Sequence, residues 1–363
     1  VSDNGLALTQ LTLRAPNATL ALDRVSLDIP RGVFLTLLGA PGAGKSALLA
    51  ALAGFARPSQ GDISLNAQSL RRVRPNRRGF GVVSRDPALF PHLTLAENIA
   101  YPLRLRGTRR ADRNRMVDAA LDSVLLHDGG RMPHQATPAE HQRAAWARAT
   151  IFGPRALLLD EPLALQSPAD RTLALAALRR LHLMLGVPTV MATNNPADAL
   201  ALSDRIAVLH QGRVEQTDEP AKLYANPISA IAARASGEAN LLPGTIARLE
   251  DDGTARVTLA CGPAIEATAP RGLFPRDRCL VCLRPEQIAV ALTRAEDMGE
   301  GALDATVLEV LNLGDAVRLR LLLGAGEALV VRRPAGVAIA GLSPGEPVAV
   351  AWQPHHGLIL PAK

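Results

Sequence analysis

The chain has 363 residues, too many for one ordinary hydrophobic core, which predicts two or three domains. Its 48% hydrophobic content is ordinary for a globular protein, its 3% aromatic content is low, and no stretch approaches the roughly 18 apolar residues of a membrane span. The net charge is +6, yet the arginines that carry it are dispersed, so the balance reads as compositional bias rather than as an electrostatic footprint.

The opening VSDNGLALTQ lacks the basic-then-apolar pattern of a secretory signal, so the chain is expected in the cytoplasm, touching a membrane only through partners. Strand-like apolar runs follow at Leu6–Leu13, Phe34–Leu38, Phe80–Val83, Ala156–Leu159, Thr189–Ala192 and Ile206–Leu209. They alternate with helical patterns as in parallel α/β folds, and a helical stretch fills about 95–150.

Directly after the FLTLL strand comes GAPGAGKS, residues Gly39, Ala40, Pro41, Gly42, Ala43, Gly44, Lys45 and Ser46, then a helical run that opens with Ala47. A GxxxxGK[ST] segment between a strand and a helix is a phosphate cradle. Gly42 and Gly44 let the backbone curl so that successive N–H groups point at phosphate, and the helix start adds the positive end of its dipole. Lys45 is expected on the β- and γ-phosphates of ATP, with the Ser46 hydroxyl on Mg²⁺. The densest basic run, Arg71 to Arg78, is read as a solvated loop and not as a nucleic-acid site, because no stacking aromatics or reader motif accompany it.

Further on, Thr137-Pro138-Ala139-Glu140 is an S/T-x-x-E capping box with proline at the first helical position, so this helix is expected to satisfy its own N-terminal donors. In ALLLDEP, Asp160 emerges from the C-terminal end of a buried strand and is expected to hold Mg²⁺ through water. Glu161 follows it and is placed to take a proton from an attacking water as general base. Asn195 and Asp198 mark a second capped helix start.

From about 240 the pattern changes to apolar alternation with Gly/Pro turns, the signature of short antiparallel strands. This half repeats itself: the stretch from Gly272 lines up with that from Gly341 so that Pro285 falls on Pro354, and GTIARLEDDGTARVTL matches ATVLEVLNLGDAVRLRL. Chance similarity between β-hairpins is the competing explanation. Cys279 and Cys282 form a CxxC, but on a strand residues i and i+3 face opposite ways, so they read as core residues rather than metal ligands.

Together with GAPGAGKS and LLLDEPL, the segments DPALFPHLTLAENIAYPL (from Asp86) and ALSDRIAVLHQGRVEQ (from Ala201) resemble ATPase subunits of ABC importers. GEANLLPG, LRPE and the closing VAVAWQP resemble the accessory domain of the subgroup that serves polyamines, ferric iron, phosphonates or sugars. The resemblance implies an α/β P-loop ATPase over 1–235 with a helical subdomain at about 90–150, then an all-β, OB-like domain over 236–363. It also implies a chain peripheral at the inner face of the cell membrane. Two ATPase subunits, identical or paralogous, would clamp two ATP molecules beneath permease subunits, with a periplasmic solute-binding protein as an indirect partner.

Against that pattern several positions are substituted. Ala15 stands where the family stacks an aromatic on adenine, Arg85 at the Q-loop glutamine and Asn194 at the switch histidine. Thr137 to Glu140 replaces the glycine-bearing signature that faces the partner's ATP, and Ser167 stands where the family has an aspartate. Groups that hold nucleotide and metal survive, whereas groups that sense γ-phosphate do not. An importer ATPase with slow turnover is therefore expected; the alternative is an ATP-binding regulatory subunit beside an active paralogue.

Overall fold

A computed structural model of the chain describes residues 5–14, 19–298, 301–324, 326–336 and 342–362. Its contacts divide between Leu223 and Tyr224 into two compact units. This lies upstream of the 235/236 boundary that the resemblance implies, and the reason is Arg284. Its buried guanidinium donates to the carbonyls of Tyr224 (2.7 Å), Ala233 (2.9 Å) and Glu238 (3.2 Å) and to the Ser236 hydroxyl (2.9 Å), so the segment from Tyr224 to Glu238 folds with the tail.

The first unit opens with β1 (Gly5–Arg14), β2 (Leu20–Pro30), β3 (Phe34–Leu38) and α1 (Lys45–Ala53). Next come β4 (Gln60–Leu65), β5 (Gln68–Ser69), the short α2 (Pro75–Arg78), β6 (Phe80–Val83), α3 (Leu95–Leu105), α4 (Arg110–Ser123) and α5 (Pro138–Thr150). It continues through β7 (Ala156–Asp160), α6 (Pro168–Leu185), β8 (Thr189–Thr193), α7 (Pro196–Leu202), β9 (Arg205–His210) and β10 (Arg213–Asp218), and α8 (Pro220–Ala225) runs across the division.

Strands β10-β9-β3-β8-β7-β6 form one sheet, parallel except for the edge hairpin β9–β10. Central β3 is buried along its whole length, as a continuous apolar run requires when both faces are covered. One face packs on α1, the other on α3, α5 and α6. Leu6–Leu13, grouped above with the parallel strands, sits instead in a separate antiparallel sheet, β2-β1-β4-β5. Only residues 15–19 connect β1 to β2, too few for a parallel crossover of about a dozen residues, so the chain returns as an antiparallel pair. The helical stretch expected over 95–150 resolves into α3, α4, a 3₁₀ turn at Pro133–Gln135 and α5.

In the second unit α9 (Ala230–Ser236) leads into β11 (Asn240–Leu249), β12 (Thr254–Leu259), β13 (Ala264–Thr268), β14 (Arg278–Leu283) and β15 (Ala289–Ala291). Then follow β16 (Leu303–Asn312), β17 (Ala316–Leu323), β18 (Glu327–Pro334), β19 (Pro347–Ala351) and β20 (Leu358–Pro361). β11-β12-β13-β20-β14 close into an OB-like barrel, and β15-β19-β16-β17-β18 form a second sheet. Pairing is antiparallel throughout except for the short parallel contact of β13 with β20. Pro285 and Pro354, aligned in the sequence, each open a 3₁₀ turn, the first after β14 and the second after β19; Gly341, where the second aligned stretch begins, lies outside the described residues. Cys279 and Cys282 face opposite sides of β14, one in the main core and the other against α9 and β20.

Candidate functional site

The glycine-rich segment folds as a tight loop because two of its glycines adopt backbone angles that side chains resist. Gly44, the residue before α1, has φ +106, and a Cβ there would lie 2.7 Å from the Ala21 carbonyl oxygen. The loop delivers Lys45 into a buried position among three oxygens: the carbonyls of Gly39 (2.6 Å) and Ala40 (3.0 Å) and Oδ1 of Asn194 (2.5 Å). An ammonium has three N–H donors, so in this state all are engaged. Burial pushes the Lys45 pKa down from the usual lysine value, and the nearby carboxylates of Glu161 and Asp160 act to raise it.

Around it lies a cleft of about 360 Å³ lined by Ala21, Pro41, Gly42, Gly44, Lys45, Ser46, Ala47, Arg85, Asp160, Glu161 and Asn194. The structure thus gathers most of the residues singled out in the sequence. Gly39, Ala40 and Ala43 do not wall the cleft: the first two turn carbonyls to Lys45, and Ala43 is buried. Thr137 to Glu140 stand apart from it, and Ala15 lies outside the described residues. Arg85 is exposed at the cleft wall, where it brings a positive charge instead of an acceptor.

Glu161 has the left-handed angle φ +48, uncommon for a side-chain-bearing residue, and neighbours hold it there. Its amide donates to the Ala192 carbonyl (2.9 Å), and its own carbonyl accepts from Nε2 of Gln142 (3.1 Å). One carboxylate oxygen accepts from the Thr193 hydroxyl (3.1 Å) and the other from the Asn194 amide (3.0 Å). The carboxylate is therefore oriented rather than free to swing.

Gln142 and Thr193 were not foreseen, since neither carries a motif of its own. Gln142 is fully buried in α5, and its Oε1 also accepts from the Leu165 amide (3.3 Å) and from Gln166 Nε2 (3.2 Å). It ties α5 to the Glu161 backbone and the segment after it. At the start of α5 the capping box forms as the sequence implied: the Thr137 hydroxyl accepts from the Glu140 amide (3.3 Å), and the Glu140 carboxylate from the Thr137 amide (2.8 Å). Arg131, not anticipated, pairs with the same carboxylate. Burial works to raise the Glu140 pKa, but the Thr137 amide, Arg131 and the Thr137 hydroxyl together hold it below the usual glutamate value.

The sequence matches the ABC transporter family over residues 22–164 and the TOBE domain over 281–360. It is 38% identical over 351 residues to the spermidine/putrescine import ATP-binding protein PotA of Pseudomonas aeruginosa, with 96% of each chain covered. The chain belongs to the family of ABC-transporter import ATP-binding proteins. It is an ABC-type ATPase subunit of the importer kind. The PotA of Rubrobacter xylanophilus is 37% identical, with 94% of this chain and 90% of that protein covered. Among solved structures, a dimeric ATP-binding cassette bound to ADP and phosphate matches with TM-score 0.54 and 25% identity, over 59% of this chain and 98% of that one. The CbiO1 protein of Clostridium perfringens, part of an ABC transporter complex, matches with TM-score 0.57 and 25% identity, over 62% and 92%.

The cap on α5 makes a prediction. Thr137→Ala should lower unfolding free energy by about 1 kcal/mol, and Glu140→Ala should add little more, because the two groups share one box. The Glu140 pKa is depressed on folding, so its contribution is present above the ordinary value of 4.5 and disappears as pH falls through the lower folded value. Urea denaturation at pH 7 and in mild acid should show wild type and Glu140→Ala converging as pH drops.

Proposed function

We propose that this chain drives import of a polyamine, using the 39–47 loop, Asp160 and Glu161 to bind and slowly hydrolyse Mg-ATP. The observation that carries the reading is the convergence of Lys45, Ser46, Asp160 and Glu161 on one cleft, within a chain whose relatives import spermidine and putrescine. The relatives' names favour an importer ATPase over a regulatory subunit.

When nucleotide binds, the loop amides and the start of α1 receive the phosphates, and Lys45 exchanges protein acceptors for phosphate oxygens. Ser46 and Asp160 offer the hard oxygen donors Mg²⁺ prefers, and the ion would supply charge neutralisation on the phosphates. Glu161, its carboxylate fixed by Thr193 and the Asn194 amide, accepts the proton of the attacking water. Asn194 stands by the reacting end but cannot become cationic, and Arg85 offers charge without an acceptor. These substitutions underlie slow turnover.

The partners proposed are a second ATPase subunit, identical or paralogous, two permease subunits at the inner face of the cell membrane and, through them, a periplasmic solute-binding protein. No nucleic acid is involved. The permease contact is assigned to the ALFPHLTLAEN loop, whose turn is held by the side chain of Asn98. The buried Asn98 side chain accepts from the Phe90 amide (2.7 Å) and donates to the carbonyls of Phe90 (3.1 Å) and Leu93 (3.1 Å). The tail from about 236 is proposed as two copies of one β unit that have exchanged final strands, β20 completing the first and β15 the second. Pairing of β14 with β20 and of β19 with β15 supports this.

Two measurements test the function. Cells that depend on this chain for the transporter should take up labelled spermidine with the wild type and lose that uptake with Glu161→Gln; uptake unchanged by the substitution contradicts the reading. Steady-state ATPase activity of the purified chain should be low, and replacing 136–140 by Leu-Ser-Gly-Gly-Gln should raise it by at least about tenfold, because restoring backbone donors at a γ-phosphate recovers transition-state contacts.

A further inference from the structure

A cavity of about 670 Å³, larger than the nucleotide cleft, lies elsewhere on the first unit and is walled by Arg57, Arg71, Arg72, Arg74 and Arg78 together with Gly54. It contains no acidic lining residue. Arg78 forms a fixed part of the wall, only 4% exposed, with Nε donating to the Val73 carbonyl (3.1 Å) and Nη1 to those of Ala51 (3.0 Å) and Leu52 (2.6 Å). Its Nη2 donates to the Leu70 carbonyl (3.0 Å). A guanidinium has five N–H donors and these bonds engage four, which leaves one on Nη2 without a protein acceptor among the described residues. Gly54 has φ +88, and a Cβ there would fall 2.7 Å from Arg78 Nε, so the wall is built around this guanidinium.

The other four arginines are exposed, and none forms an ion pair among the described residues. Like charges gathered around one concavity repel each other, and the low-dielectric wall concentrates their field, so an anion entering it is strongly favoured. Guanidinium forks match phosphate oxygens in bidentate fashion. The volume exceeds what one phosphate fills, and no aromatic lines the cavity to stack a base.

We propose that this arginine-walled cavity is a second anion site that takes a phosphate-bearing group. It is separate from the P-loop because α1 lies between them: Gly44 precedes its first turn, and Arg78 holds the carbonyls of its last. The same chemistry is offered by a dissolved polyphosphate and by the headgroup of an anionic phospholipid.

The test uses the full chain carrying Lys45→Ala, so that the P-loop contributes as little as possible. Inorganic tripolyphosphate is titrated calorimetrically, and flotation is measured with vesicles of phosphatidylcholine alone or mixed with phosphatidylglycerol. Adding Arg71→Ala, Arg72→Ala and Arg74→Ala removes exposed charge and leaves Arg78 in place, so thermal melting should be unchanged. Tripolyphosphate binding weakened at least tenfold by the triple substitution assigns the site to a soluble anion. Flotation with the phosphatidylglycerol vesicles only, lost in the triple variant, assigns it to a lipid headgroup. Binding of neither probe, or binding indifferent to the three arginines, overturns the proposal.

Discussion

A buried ammonium is unstable unless its charge is met, and the nucleotide cleft is organised around meeting that of Lys45. Two carbonyls of the glycine-rich loop and the Asn194 side chain saturate its donors, while Asp160 and Glu161 supply the opposing charge. That arrangement needs the left-handed turn at Gly44, the buried β3 that ends at the loop, and the ends of β7 and β8 beside it. Phosphate oxygens can replace the protein oxygens one for one. The cleft is thus prepared for an anion without being held open by repulsion.

The end of α5 shows the opposite economy of donors. In the glycine-bearing signature of the family, amides at this helix start are left for a partner's phosphate; here Thr137 and Glu140 satisfy each other, and Arg131 neutralises the carboxylate. Yet α5 remains joined to the reacting end of the cleft through Gln142, which holds the Glu161 carbonyl and the segment up to Gln166. The mechanical link survives where the chemical offer is withdrawn. On this combination rests the proposal of a subunit that couples nucleotide to movement while turning over slowly.

Much of this was legible in the sequence because it depends on local pattern. Continuous apolar runs marked β3, β6, β7, β8 and β9, the glycine spacing marked the loop, and Thr137 to Glu140 marked the start of α5. β2 and β4 were missed because their half-buried alternation is diluted by charged residues, and β5 because it is only two residues long. The partners of Lys45, the Gln142 bridge and the Arg131–Glu140 pair depend on side chains far apart in sequence, which no single-chain spacing reveals. The same limit hid the pairing of β14 with β20 and of β19 with β15, since strand order along the chain says nothing about which sheet each strand joins.

Equilibrium dialysis with Mg-ATP tests the account at its centre. The wild-type chain should retain nucleotide stoichiometrically, and Lys45→Ala should lose that retention while keeping the wild-type circular dichroism. Retention unaffected by the substitution, or absent from the wild type, would contradict the assignment of this cleft.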